Sequence, residues 1–159
     1  MRSITALFAS ALAVAPAGSV VFAGGGWAAV VRGGVCQALS RSVLLAPKGH
    51  TQATAGFAFT PDRKRWGEFH AHLSRAPRAG SSVMLDIGGQ PFLLVARGDW
   101  GWSRGPAQEQ AIIAAARNAS AMRVEARDGA GRRFVDTYAL AGAPTAIDAA
   151  AAACAGKSG

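Results

Sequence analysis

Short apolar stretches separated by glycine-rich turn signals set the tightest limit on how this chain can fold. The pairs Gly33-Gly34 and Gly88-Gly89 and the segment 128–131 each separate two such stretches. Glycine turns of this length suit adjacent antiparallel strands. Links this short also leave little room for the crossover connections that parallel strands require. The sequence therefore predicts a mainly β protein, an antiparallel β-sandwich or barrel.

Proline positions predict two helices among seven or eight strands. Pro106 suits the first turn of a mid-chain helix over residues 107–117, because proline at that position loses no helical hydrogen bond. Pro144 opens a C-terminal helix in which Ile147 and Cys154 share an apolar face with Ala150 or Ala151. The predicted strands cover residues 27–32, 36–45, 54–60, 65–74, 82–87, 92–96, 121–127 and 133–140.

Alternation within the strands predicts which side chains face the core. In segment 65–74, Phe69, Ala71 and Leu73 fall on the face predicted to cover the core. The opposite face carries Trp66, Glu68, His70 and His72. Residues 92–96 are almost continuously apolar, which predicts a strand buried on both faces.

The first 23 residues predict export. A positive charge at Arg2, an apolar run over residues 4–17 and the small-residue ending at Ala23 are typical of a secretory signal peptide. We therefore expect a single domain over residues 24–159, periplasmic or secreted and without a membrane span, since no other apolar stretch is long enough. In an oxidising compartment the two cysteines, Cys36 and Cys154, favour a disulfide. An intermolecular bridge or two free thiols remain the alternatives.

The charge balance favours an anionic partner over a neutral one. The chain has 17 Lys and Arg against 9 Asp and Glu, a net charge of +8. The arginines are scattered, and the aromatic-basic pattern of RNA-binding modules is missing from the sequence. We expect no nucleic acid partner and a monomer whose arginines either form a solvated surface or meet an anionic ligand.

No catalytic motif supports an enzyme, and we predict neither catalytic residues nor a cofactor. The sequence contains no Gly-x-Ser-x-Gly and no His-Glu-x-x-His. One alternative stays open, because Glu68, His70 and His72 recur at two-residue intervals on one strand face. Such a set could bind copper, nickel or zinc in a small metal-binding protein or metal-dependent enzyme. A plain solvated face is the simpler interpretation.

Segment 97–104 is the best candidate contact loop. Tryptophan and arginine dominate the energetics of many interfaces, and binding residues are often placed on loops. The competing interpretation is that the indoles cap the open end of the core, because tryptophan is highly buried on average. The candidate partner-binding residues are Arg97, Asp99, Trp100, Trp102 and Arg104.

The chain shows a family resemblance in three segments and in the alanine-rich helix that ends at Cys154. The segments are residues 83–89, 92–94 and 136–142. The chain resembles the invasion-associated locus B family of alphaproteobacterial secreted proteins over roughly residues 27–154, most specifically in the Asp-Thr-Tyr-x-Leu-x-Gly block. The resemblance implies an all-β envelope or host-interaction domain with no defined catalytic residues. It also implies a short branch of the family with a single bridge from Cys36 to Cys154. The expected partner is a protein, a glycan or an anionic envelope polymer.

Overall fold

The computed structural model describes residues 18–156, which form one ten-stranded antiparallel sheet and two helices. The strand order is β1-β2-β3-β4-β5-β8-β7-β6-β9-β10. The mainly β prediction is confirmed, although the sheet does not close into a barrel. In chain order the elements are β1 Ser19–Gly24, β2 Trp27–Arg32, β3 Val35–Arg41, β4 Thr54–Phe59, β5 Trp66–His72, β6 Val83–Ile87, β7 Gln90–Arg97, β8 Trp100–Trp102, α1 Pro106–Asn118, β9 Ala121–Arg127, β10 Arg133–Ala139 and α2 Ala143–Ala155.

The sheet curls around the two helices, so that its first and last strands approach each other. The indole nitrogen of Trp27 in β2 donates to the carbonyl of Ala139 in β10 at 2.8 Å. The β1–β2 turn packs directly on the β10–α2 connection. In this turn Gly25 has φ +61°, and a Cβ on it would collide with the carbonyl of Ala141. Glycine is required there both for the left-handed backbone and for the close approach.

Both helices cover the inner face of the sheet and complete one core. Helix α1 packs on β5, β6 and β7, and α2 packs on β1 to β5. The predicted apolar face of the C-terminal helix is confirmed, since Ile147, Ala150 and Cys154 are all buried. The predicted helix starts are also correct to within about a residue, with a proline in the first turn of each helix.

A disulfide joins Cys36 in β3 to Cys154 in the last turn of α2, with the Cα atoms 5.9 Å apart. Both residues are buried in the core. The predicted bridge is confirmed, and it fixes the C-terminal helix against β3.

A β-bulge between β4 and β5 changes the predicted orientation of one side chain. Ala58 pairs with Glu68, but the next residue, Phe59, pairs with Trp66. Gly67 is therefore the extra residue of the bulge, with φ +87°. Trp66 consequently packs edge-on against Phe59 at 5.2 Å and lines a surface beside α1. The prediction that Trp66 shares a face with Glu68, His70 and His72 is therefore wrong.

The strand over residues 92–96 is not buried on both faces. Leu93 and Val95 are each 37% exposed, whereas Phe92 and Leu94 are buried. The apolar run belongs to β7, whose inner face meets the core and whose outer face carries no covering element.

Two strands are additional to those predicted. Strand β8 lies inside segment 97–104, which was predicted to be a loop. Strand β1 lies almost entirely inside the predicted signal peptide, of which residues 1–17 fall outside the described part of the chain. No helix within residues 18–156 is long and apolar enough to cross a membrane.

Candidate functional site

The candidate site lies on the outer face of the sheet, where β8 is held between β5 and β7. Trp102 pairs with His70, and Trp100 pairs with His72. Side chains of directly opposed residues project from the same face, and this face is opposite to the one that buries Phe69. We call His70, His72, Trp100 and Trp102 the aromatic face.

A tight hairpin positions the two tryptophans. Arg97 at the end of β7 pairs with Trp100 at the start of β8, so that only Gly98 and Asp99 form the turn. Gly98 has φ +58°, as a two-residue hairpin requires at that position. The segment predicted to be a contact loop is thus a rigid β-hairpin with its indoles on sheet positions.

The rings of the aromatic face form a continuous stack. His72 lies on Trp100 with centroids 4.6 Å apart and planes inclined by 12°. Trp100 in turn lies beside Trp102 at 5.6 Å and 21°. Both indoles are partly exposed, and neither belongs to the hydrophobic core. The interpretation that they cap the core is therefore wrong.

His70 supports both indoles from below. Its ring centroid lies 6.1 Å from that of Trp100 and 5.8 Å from that of Trp102. Burial lowers the pKa of His70 to about 4, with a further contribution from the positive charge of Arg65, so the imidazole is neutral near pH 7. Its Nδ1 has no hydrogen-bond partner among the described residues. A Cβ at Gly56 would lie 3.1 Å from His70 Nε2, so this glycine leaves room for the ring.

His72 is anchored to the hairpin turn. Its Nε2 lies 2.8 Å from Asp99 Oδ2, and this hydrogen bond lowers the pKa of the Asp99 carboxyl. The backbone amide of Leu73 also donates to the Asp99 carbonyl at 2.8 Å. Asp99 therefore holds the hairpin against β5. Although Asp99 was predicted to be a contact residue, it does not line the arginine-rich groove beside Trp102.

A groove of about 560 Å³ adjoins Trp102. Arg97 and Arg104 are exposed, and no carboxylate within residues 18–156 lies within 4.0 Å of either guanidinium. Of the predicted contact residues, Arg97, Trp102 and Arg104 line this groove, whereas the contributions of β5 and of the outer face of β7 were not predicted. The groove is lined by Arg65, Glu68, Val95, Arg97, Trp102, Ser103 and Arg104.

A serine beneath the groove fixes α1 to the sheet. Ser103 Oγ donates to Glu109 Oε1 at 2.9 Å and accepts from the backbone amide of Phe69 at 3.1 Å. Glu109 is buried in the first turn of α1. These contacts join the end of β8 to β5 and α1 at the groove.

The structure does not assemble Glu68, His70 and His72 as metal ligands. Glu68 accepts from Arg65 Nε at 2.8 Å, His70 is buried against the indoles, and His72 pairs with Asp99. Residues 18–156 contain no group of three or more His, Cys, Asp or Glu side chains that could hold a metal ion.

Comparison with known proteins adds no relative. No protein-family model, no curated protein and no solved structure matches the chain.

Proposed function

We propose that this protein is a noncatalytic binding protein of the bacterial envelope or the extracellular space, of the invasion-associated locus B type. The apolar N-terminal sequence and the buried disulfide support export, because disulfides persist mainly in oxidising compartments. The chain then works as a β scaffold that presents a partner-binding surface.

The observation that carries this proposal is the aromatic face. Two stacked, partly exposed indoles lie on a rigid sheet beside Arg97 and Arg104. Tryptophan and arginine are the residues most enriched where interfaces concentrate their binding energy. Because ring stacking and strand pairing hold the two indoles in place, their ordering on binding costs little entropy.

The metal-dependent alternative receives less support. Each of its three candidate ligands already has another structural partner or is buried. Removing His70 and His72 would therefore disturb the support of the indoles before it disturbed a metal site.

Capture of the partner tests the proposal. The tagged domain is incubated with envelope extract and culture supernatant, and its partner is compared with that of the Trp100→Ala/Trp102→Ala variant. Leu44→Ala is the matched control, because Leu44 is 79% exposed and belongs neither to the aromatic face nor to the groove beside Trp102. We expect the wild type and the control to retain the same ligand saturably and the double variant to lose it.

Thermal unfolding and thiol counting on each variant show whether the fold survives. Retention of the ligand by a folded double variant would refute the contact surface. Absence of any saturable ligand in both fractions would refute the binding function. If the double variant unfolds, Trp102→Leu, which keeps apolar bulk but removes the indole, replaces it in the comparison.

A further inference from the structure

The groove beside Trp102 has an excess of positive charge. Its lining holds three arginines and one carboxylate, and that carboxylate is already paired, since Glu68 Oε1 lies 2.8 Å from Arg65 Nη2. Arg97 and Arg104 are left without a carboxylate among the described residues. A guanidinium presents a planar fork of donors that matches a carboxylate.

The same groove has an apolar wall. The indole of Trp102 and the side chain of Val95 oppose each other on neighbouring strands and line it together. The face of an indole carries negative charge density, which attracts partially positive C–H groups and cations. The rings of His70 and Trp100 pack against the indole of Trp102 and hold it in place as a platform.

A ligand that satisfies both features needs a flat face of C–H groups and a carboxylate next to it. Resting on the proposed function, we propose that the groove binds a uronic-acid residue of an anionic polysaccharide. Its sugar ring lies on Trp102, and its carboxylate pairs with Arg97 and Arg104. An acidic peptide would use the arginines without the indole platform, and a neutral glycan would use the platform without the arginines.

Three polymers separate these contributions. Polygalacturonate supplies ring and charge, dextran supplies the ring alone, and poly-glutamate supplies the charge alone. Calorimetric titration of the purified domain at low ionic strength is expected to give measurable affinity for polygalacturonate and at least about tenfold weaker binding of the other two. Equal affinity for poly-glutamate would refute a contribution of the sugar ring to binding. Equal affinity for dextran would refute a contribution of the carboxylate.

Variants locate the binding. Arg97→Gln and Arg104→Gln are each expected to weaken polygalacturonate binding about tenfold, as for the loss of one charged hydrogen bond. Trp102→Leu is also expected to weaken it, because it removes the aromatic platform under the sugar ring. Arg78→Gln is the matched control, because it removes one positive charge at a different groove. An equal loss in Arg78→Gln would show that only net charge matters. If the partner captured from envelope material is a protein that still depends on Trp102, the binding function stands and the uronic-acid proposal fails.

Strand β1 carries a second, independent proposal about processing. It pairs with β2 through five register partners, from Ser19↔Val31 to Gly24↔Trp27. Phe22 packs against the core, and α2 contacts the strand. Cleavage after Ala23 would remove five of the six residues of β1 and expose the edge of β2.

The sequence offers an earlier cleavage site that keeps this strand. Ala15 and Ala17 form the small-x-small pattern that signal peptidase recognises, and the next residue is Gly18. We infer that the exported protein is cleaved after Ala17 and begins at Gly18, with β1 intact.

Intact-mass measurement on protein purified from the periplasm of an expression host tests this inference. We expect the mass of residues 18–159, with Ala17→Leu accumulating precursor and Ala23→Leu processed as in the wild type. A mass of residues 24–159 would overturn the site while leaving export in place. An uncleaved chain would overturn both.

Discussion

The disulfide allows the sharpest quantitative prediction about stability. Replacing both Cys36 and Cys154 by alanine removes a link between residues 118 positions apart. In the chain-entropy model, a loop of that length corresponds to about 5 kcal/mol of stability through constraint of the unfolded chain. For a domain of this size the loss lowers the melting temperature by about 15 to 20 °C.

Both sulfurs are buried between α2 and the sheet, so the alanines also leave a small void. The remaining apolar face of α2, with Ile147 at its centre, should still hold the helix in place. We therefore expect a folded but much less stable variant.

Urea unfolding followed by circular dichroism measures the change. The midpoint should fall and the denaturant slope should rise, since the unfolded chain without the bridge is less compact and exposes more surface. Wild-type protein under reducing conditions is the matched control and should lose a comparable amount. A loss below about 1 kcal/mol in both samples would refute the argument that the bridge acts by restricting the unfolded chain.

Three further predictions concern the surroundings of the aromatic face. Burial lowers the pKa of His70 from 6.5 to about 4, so between these two values the unfolded chain binds a proton that the folded protein does not. The free energy of unfolding should therefore fall by about 3 kcal/mol as the pH is lowered from 6.5 toward 4. Unfolding curves of His70→Gln should lack this fall, whereas those of His72→Gln should keep it. Gly56→Ala places a Cβ 2.5 Å from the Ala38 carbonyl and should cost roughly 1–3 kcal/mol in the same assay; an unchanged midpoint would contradict the packing. The pKa of the Asp99 carboxyl, followed by NMR, should lie below 3.8 and rise in His72→Gln; an unaltered titration would show that the hydrogen bond is absent in solution.

Local sequence signals were sufficient for most of the fold. Pro106 and Pro144 locate the two helix starts, and the alternation of Val83, Leu85 and Ile87 gives the buried face of β6 correctly. The hairpin of β9 and β10 follows from its glycine-rich turn. Each of these features depends on residues close together in the chain.

Three features could not be predicted in this way. Strand β1 has the apolar composition of a signal peptide, so only its pairing with β2 distinguishes the two interpretations. Trp66 changes face because of a bulge whose register depends on β4. Strand β8 has only three residues, and it is stabilised by neighbours, β5 and β7, that no local pattern connects to it.

Several failures of the sequence pattern lie at the candidate site. Leu93 and Val95 were expected inside a doubly buried strand, and Trp100 and Trp102 inside a loop or at the end of the core. The side chains of all four residues instead lie on the outer face of β7 and β8. No helix in the described part of the chain covers the sheet there. Apolar side chains grouped on an uncovered sheet face mark contact sites more often than they stabilise the fold. The places where local rules fail are also those where function is expected to override them, so this face is the part of the molecule on which binding experiments should begin.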